Sequence, residues 1–282
     1  MKVRFWGTRG SIPTPDRDRM KYGGNTSCVQ VTVDNNDTDA IILDAGTGIR
    51  QLGIDLMNRF ETMKVYLFLT HFHWDHIQGI PFFAPLYSEK FECTFVGCDR
   101  KDGNVEKKLK DSVCPPYFPV GFDVFKAKVN YIDICEGDLS IGGATVCVKT
   151  IHHPGGAITF KIMADDTIFV FMTDNELDLS GERKDFYDRL VAFCKGADVL
   201  VHDAQYTPDE YASKRGWGHS SYVDAVHFAL DGGVKRLVLF HHDPEHNDEK
   251  IDDIVEDCHT ILSEKASSME CVGAWEGIEL KI

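Results

Sequence analysis

The chain has 282 residues, 43% of them hydrophobic, which is enough for one large core or two small ones. Its 45 acidic residues outnumber 30 basic ones, and the formal net charge of −15 disfavours bulk nucleic acid and anionic membranes as partners. No apolar run approaches the ~18 residues of a membrane helix, and Met1-Lys2-Val3-Arg4-Phe5-Trp6 lacks the apolar stretch of a signal peptide. Nine cysteines, an odd number with no Cys-x-x-Cys spacing, read as reduced thiols in a cytoplasmic compartment rather than a disulfide framework.

Met1 to Trp6 alternates and predicts a first strand. Gly7-Thr8-Arg9-Gly10-Ser11-Ile12-Pro13 is a tight loop whose backbone amides could approach an anion, or which is a turn with no ligand. Tyr22 to Ser27 is a second turn. Strands over Ser27 to Val33 and Ala40 to Leu43 are joined by a polar hairpin tip, Asp34-Asn35-Asn36-Asp37. Ile49, Leu52, Ile54, Leu56, Met57 and Phe60 then fall at helical spacing, and Val65 to Leu69 reads as a buried strand. His76 to Pro81 begins a short helix broken by Gly79 and Pro81. Phe91 to Gly97 is a strand and Val105 to Ser112 a charged helix. In the Pro-dense stretch Cys114 to Val120, Tyr117 and Phe118 could line a pocket mouth and stack on a ring, or simply pack a stiff loop.

Short strands at hairpin spacing fill Tyr131 to Met163, and Thr167 to Met172 is another. Helices are expected over Asp185 to Lys195, Ser220 to Asp231 and Glu249 to Glu264. They alternate with strands at Val199 to His202 and Arg236 to Phe240 and with closing strands from Glu270 to Lys281. No linker or repeat interrupts this order, so residues 1–282 read as a single domain. The pattern fits an α/β (α+β) fold of two sheets packed face to face with helices outside.

The stretch that carries chemistry is Thr70-His71-Phe72-His73-Trp74-Asp75-His76, at the carboxyl end of the buried strand. Three imidazoles and a carboxylate are costly to bury unless something pairs with them. A metal does so: neutral imidazole and ionised carboxylate suit Zn2+, Mn2+ or Fe. On an extended segment His71 and His73 point the same way and can hold one ion, while Asp75 and His76 follow the turn and can face a second. The plain alternative is a loop of solvated histidines. Further candidates sit at later strand ends: His152 or His153 before Pro154-Gly155, Asp174 after Thr173, and His241 or His242 before Asp243-Pro244.

The His-x-His-x-Asp-His pattern resembles the metallo-β-lactamase superfamily. The resemblance implies a four-layer αββα sandwich with two divalent metal ions at one edge. It places His71, His73 and His153 on one ion, Asp75, His76 and His241 on the other, and Asp174 between them, with His152 and His242 as competitors. Two later stretches narrow the branch. Val201-His202-Asp203-Ala204 resembles the His-Glu-Ala-Thr stretch of the tRNase Z group, with Asp in place of Glu. Trp217-Gly218-His219-Ser220-Ser221 resembles its Gly-His-Ser-Thr stretch, and Gly7 to Pro13 its glycine-rich opening.

This resemblance implies a phosphodiesterase in which a metal-bridging hydroxide, oriented by Asp75, attacks phosphorus. His219 would contact the phosphate and could protonate the leaving oxygen, with Asp203 as its partner. The plain reading of His219-Ser220 is a helix start with Ser220 as N-cap; Ser220 is also a candidate substrate contact beside Tyr117 and Phe118. One departure matters. Only 27 residues separate Asp174 from His202, and no other insertion is large and basic enough to match the arm with which tRNase Z grips tRNA. The expected substrate is therefore a small or cyclic, nucleotide-like phosphodiester. A tRNase Z-like RNA 3′-processing endonuclease and a hydrolase of neutral esters or lactams are the alternatives. Analogy with relatives points to a homodimer, and no membrane partner is expected.

Overall fold

In the strand Asp39–Leu43, Ile41 and Leu43 point one way, Ala40 and Ile42 the other, and all four are buried. A strand apolar on both faces needs cover on both, and that requirement sets the architecture. The computed structural model describes residues 1–34, 36, 38–99, 104–177 and 183–282. Asn35 and Asp37 of the expected hairpin tip, and residues 178–182 after Asp174, lie outside the described residues.

The first sheet has seven strands in the order β14 (Glu279–Lys281), β1 (Lys2–Gly7), β2 (Cys28–Thr32), β3 (Asp39–Leu43), β4 (Met63–Phe68), β5 (Phe91–Gly97) and β6 (Lys128–Asp133). The second runs β13 (Glu270–Gly273), β12 (Arg236–Phe240), β11 (Val199–Asp203), β10 (Thr167–Met172), β9 (Ala157–Ala164), β8 (Ala144–Ile151) and β7 (Gly137–Ile141). Their inner faces share one core, in which Phe5, Val31 and Phe68 meet Val146, Phe160, Phe171 and Phe240. Outside the first sheet, α1 (Ile49–Arg59) buries Ile49, Leu52 and Leu56, and α3 (Val105–Ser112) buries Val105 and Leu109. Outside the second lie α4 (Lys184–Cys194), α6 (Tyr222–Asp231) and α7 (Asp248–Glu264). In α7, Ile251, Ile254, Cys258 and Leu262 recur at helical spacing and are buried. The result is the expected four-layer αββα sandwich.

Register places the site. β3, β4 and β5 are parallel, with Leu43 opposite Phe68 and Phe68 opposite Val96. β10, β11 and β12 are parallel too, with Met172 opposite His202 and Asp203 opposite Phe240. Their carboxyl ends therefore finish nearly level. The chain leaves them at Asp44, Thr70, Asp174 and His241, along the edge where open α/β sheets place ligands.

Three expectations need correction. α5 (Pro208–Lys214) falls where no helix was expected, although Thr207 and Glu210 close a capping box around Pro208, with Glu210 accepting from Thr207 N at 2.8 Å. The N-cap of α6 is Ser221, which accepts from Asp224 N at 3.2 Å, and not Ser220. Finally, Cys98 and Cys135 form a disulfide, so the thiols are not all reduced. These cysteines follow adjacent parallel strands, β5 and β6, which bring their Cα atoms within 4.9 Å without any short-range sequence signature. Among the described residues no helix is long and apolar enough to cross a membrane.

Candidate metal centre

His71 and His73 lie on the extended segment after β4, and Asp75 and His76 on the first turn of α2 (Trp74–Ile77), for which His73 is the N-cap residue. His153 follows β8, Asp174 follows β10 and His241 follows β12. Asp174 and His241 have φ of 57° and 56°, and nearby Asp44 and Ser11 have 60° and 62°. A non-glycine residue in this left-handed region costs on the order of 1–2 kcal/mol, so four of them at one rim mark backbone bent to aim side chains.

Two groups of donors result. In the first, the ligand atoms of His71, His73 and His153 lie within 4.8 Å of one another, and His153 Nε2 is 3.1 Å from His73 Nδ1. In the second, His76 Nε2 and His241 Nε2 are 3.2 Å apart, and Asp75 Oδ2 is 3.2 Å from the former and 3.1 Å from the latter. Asp174 stands between them. Its Oδ1 is 3.8 Å from both His71 Nε2 and His153 Nε2, and its Oδ2 is 3.3 Å from His76 Nε2 and 3.4 Å from His241 Nε2.

The outer nitrogens fix which atoms face inward. His76 Nδ1 donates to Asp44 Oδ2 at 2.7 Å; Asp44 also accepts from Ser27 Oγ, Thr70 N and Thr70 Oγ1. Having given its proton to Asp44, Thr70 Oγ1 accepts from His71 Nδ1 at 3.1 Å. His153 Nδ1 donates to the Gly218 carbonyl and His241 Nδ1 to Gln205 Oε1, each at 3.0 Å. With Nδ1 protonated, all four imidazoles aim an Nε2 lone pair inward, as metal-ligating histidines do.

This inward set suits a pair of cations. His71 Nε2 is buried with no hydrogen-bond partner. Burial is the largest influence on Asp75 and would raise its pKa, yet His76 and His241 hold the carboxyl well below its usual range. Burial likewise would lower His76, but Asp75, Asp174 and Asp44 push it up. Without a metal, protons must offset the carboxylates; neutral imidazoles with two ionised carboxylates form a donor set for divalent zinc, manganese or iron.

His219 stacks on His241, with ring centroids 5.0 Å apart and planes at 20°, and meets the edge of His153 at 5.2 Å. Its buried Nδ1 has no hydrogen-bond partner and lies 3.7 Å from Asp174 Oδ1. Burial pulls its pKa down to about 3, which leaves a neutral imidazole. Asp203 is not its hydrogen-bond partner, contrary to expectation: the nearest approach is 3.8 Å. Instead the Asp203 carboxylate accepts from Asn175 N at 3.0 Å and Ser220 N at 2.8 Å, and so clamps the backbone just after Asp174 and just after His219. Burial, followed by the charge of Asp174, pushes Asp203 up to about 8.

Other expectations shift as well. Ser220 is buried, with its hydroxyl donating to the Asn175 carbonyl and accepting from Leu177 N, so it does not face substrate. His242 donates from Nε2 to the Ala274 carbonyl at 2.9 Å, and His152 joins neither donor group. The Ser11 amide in the N-terminal loop binds Asp75 Oδ2 at 2.8 Å instead of an outside anion. Sequence reasoning missed Glu176, whose carboxylate accepts from Gly216 N, Gly218 N and the Tyr211 hydroxyl and so shapes the loop carrying His219. Gly218 has φ 92°, and a Cβ there would collide with His153 Nδ1. Ser11, Phe72, His73, Trp74, Asp75, Asp174 and His219 line an open cleft of about 540 Å3. Tyr117 and Phe118 line a neighbouring pocket, which shares Trp74 with this cleft.

The model of the β-lactamase superfamily domain matches residues 40–242. Ribonuclease Z of Thermoplasma volcanium is 25% identical, over 95% of this chain and 95% of its own length. The metallo-β-lactamase fold protein YhfI from Bacillus subtilis superposes with a TM-score of 0.73 at 18% identity, covering 99% of this chain and 98% of that one. The short form of human tRNase Z superposes at 0.63 with 19% identity, covering 100% and 99%.

Proposed function

We propose a function from one premise: the chain belongs to the β-lactamase superfamily domain family. It acts as a dinuclear, metal-dependent phosphodiesterase on a small or cyclic, nucleotide-like diester. His71, His73 and His153 would hold one ion, Asp75, His76 and His241 the other, and Asp174 both. When bound, the ions would supply an acidified water and polarise a phosphoryl oxygen. Two carboxylates do not neutralise two dications, so the loaded centre attracts an anion despite the net charge of −15.

The observation that carries the phosphodiester reading is His219. A neutral imidazole with an unpartnered Nδ1 stands at the cleft beside the seven metal-type donors. It can donate a hydrogen bond to a phosphate oxygen as charge builds there. Asp203 and Glu176 hold that ring in place through backbone amides, so it requires no reorganisation. The acidic composition favours a small substrate, whereas the name of the Thermoplasma volcanium relative, Ribonuclease Z, favours RNA as the substrate in the second reading.

The test loads the enzyme with Zn2+ or Mn2+ and compares a panel of cyclic nucleotides, a precursor tRNA, and a neutral ester and lactam. His219→Ala should slow diester turnover by about 10²–10³-fold with metal content unchanged. Equal rates in variant and parent would remove His219 from the scheme. Turnover confined to the neutral ester or lactam would sink the phosphodiester reading.

A further inference from the structure

Trp74 opens α2 with its side chain 78% exposed, although Asp75, His76 and Ile77 after it are buried. Tyr117 is 79% exposed and Phe82 57%. Isolated exposed rings need no explanation, but these three, with Phe118, wall a single pocket of about 530 Å3. Phe82 and Phe118 meet edge to face, their centroids 5.8 Å apart and their planes at 90°, so part of the wall is packed in place. Trp74 also lines the metal cleft. The pocket is therefore the apolar continuation of a polar site, and a ligand large enough to use both has a charged end and a flat end.

On the phosphodiesterase reading above, we infer that this pocket takes the group carried by the diester, and that the group is a flat, uncharged heteroaromatic ring of nucleobase size. Aromatic walls offer faces for stacking, and a bare sugar has no π-face to place against them. Among the described lining residues Asp111 is the acidic side chain, its carboxylate 2.7 Å from Lys107 Nζ. It disfavours a second phosphate and can accept from a ring amino group. The volume lies within the range of ordinary ligand pockets, about 300–1,000 Å3.

The experiment compares the vicinal cyclic phosphate of adenosine with that of methyl riboside, on metal-loaded parent and on the Phe82→Ala/Tyr117→Ala double variant. Both side chains are exposed, so the variant should fold. Loss of two stacking rings should lower the ratio of kcat/KM, base-bearing over base-free, by about 10- to 100-fold, chiefly through KM. A ratio unchanged within about two-fold overturns the pocket. If the parent hydrolyses neither compound, the pocket is tested by binding instead, and the phosphodiesterase reading fails only if no diester of the panel above is turned over. Adenosine monophosphate should then quench tryptophan fluorescence saturably in the parent and not in Trp74→Leu; absence of a saturable quench overturns the inference. A dimer in light scattering that the double variant dissociates would also overturn it, because the occupant would then be a second copy of the chain.

Discussion

The two sheets furnish the centre by unlike means. The first supplies His71, His73, Asp75 and His76 from one stretch behind β4, where strand alternation and a single helical turn aim the side chains. The second supplies His153, Asp174 and His241 one at a time, each just beyond a different strand, with His219 on the loop before α6. Local geometry brings the first set together. The second depends on parallel register and on long-range clamps such as Asp203 across Asn175 and Ser220. The halves should therefore fail differently: damage to the first loosens ligands locally, and damage to the second costs alignment between strands.

Asp174 is where the two modes meet, since its two carboxylate oxygens face one donor group each. Asp174→Ala should give the largest effect of all. Bound metal should fall well below two ions per chain, and turnover should drop by about a thousand-fold or more, since several kcal/mol of charge stabilisation goes with the metals. Elemental analysis after gel filtration, alongside the rate on the preferred diester, checks both. Full metal content in this variant would mean that the two groups are independent.

Next in size is a pair that sets one sheet against the other. Asp44 orients His76 and accepts four hydrogen bonds within the first sheet's rim. Gln205 orients His241 through one neutral acceptor on the second. Outer partners of ligating histidines are typically worth 10- to 100-fold in metal affinity. Asp44→Ala should fall at the upper end and also destabilise the fold by about 2–3 kcal/mol, because Ser27 and Thr70 lose a buried acceptor. Gln205→Ala should fall at the lower end with little change in stability. Metal-competition titration and thermal melts give both numbers, and equal effects would erase the proposed difference between the halves.

The same difference governs what the sequence makes legible. Strand, turn and ligands occur together in Val65 to His76, so periodicity and spacing suffice there. The later donors are visible as residue types at strand ends, but the choice between neighbours is not: His152 and His153, or His241 and His242, differ by which way a bent backbone turns one side chain. His241 sits at φ 56°, a conformation that nothing in Phe240-His241-His242 announces. Asp44 reaches His76 across 32 residues, Gln205 reaches His241 across 36, and Glu176 reaches Gly216 and Gly218 across 40 and 42, so no local pattern marks them. Cys98 and Cys135 likewise meet only through strand pairing. Ser220 misleads for a related reason: its Ser-Ser neighbour takes the cap, and its own hydroxyl is turned into the clamp beneath the site. By contrast, Thr207-Pro208 with Glu210 is a local start signal for α5 that was readable.

The smallest effect should come from the neighbour of a ligand. His242 packs against Tyr22, with centroids 5.4 Å apart and planes at 65°, and its Nε2 is engaged with the Ala274 carbonyl, whereas His241 Nε2 meets Asp75. It has a structural partner and joins none of the donor groups, whereas His241 has Nε2 within 3.4 Å of both Asp75 and Asp174. His242→Ala should thus leave two ions bound and turnover within about two-fold. The cavity and the lost bond should cost about 2–3 kcal/mol of stability and lower the melting temperature by several degrees. Loss of one ion from this variant would make His242 a ligand and would reverse the assignment in the second group. Retention of both, with a lower melting temperature, would tie the choice between adjacent histidines to the left-handed turn at His241 rather than to residue type.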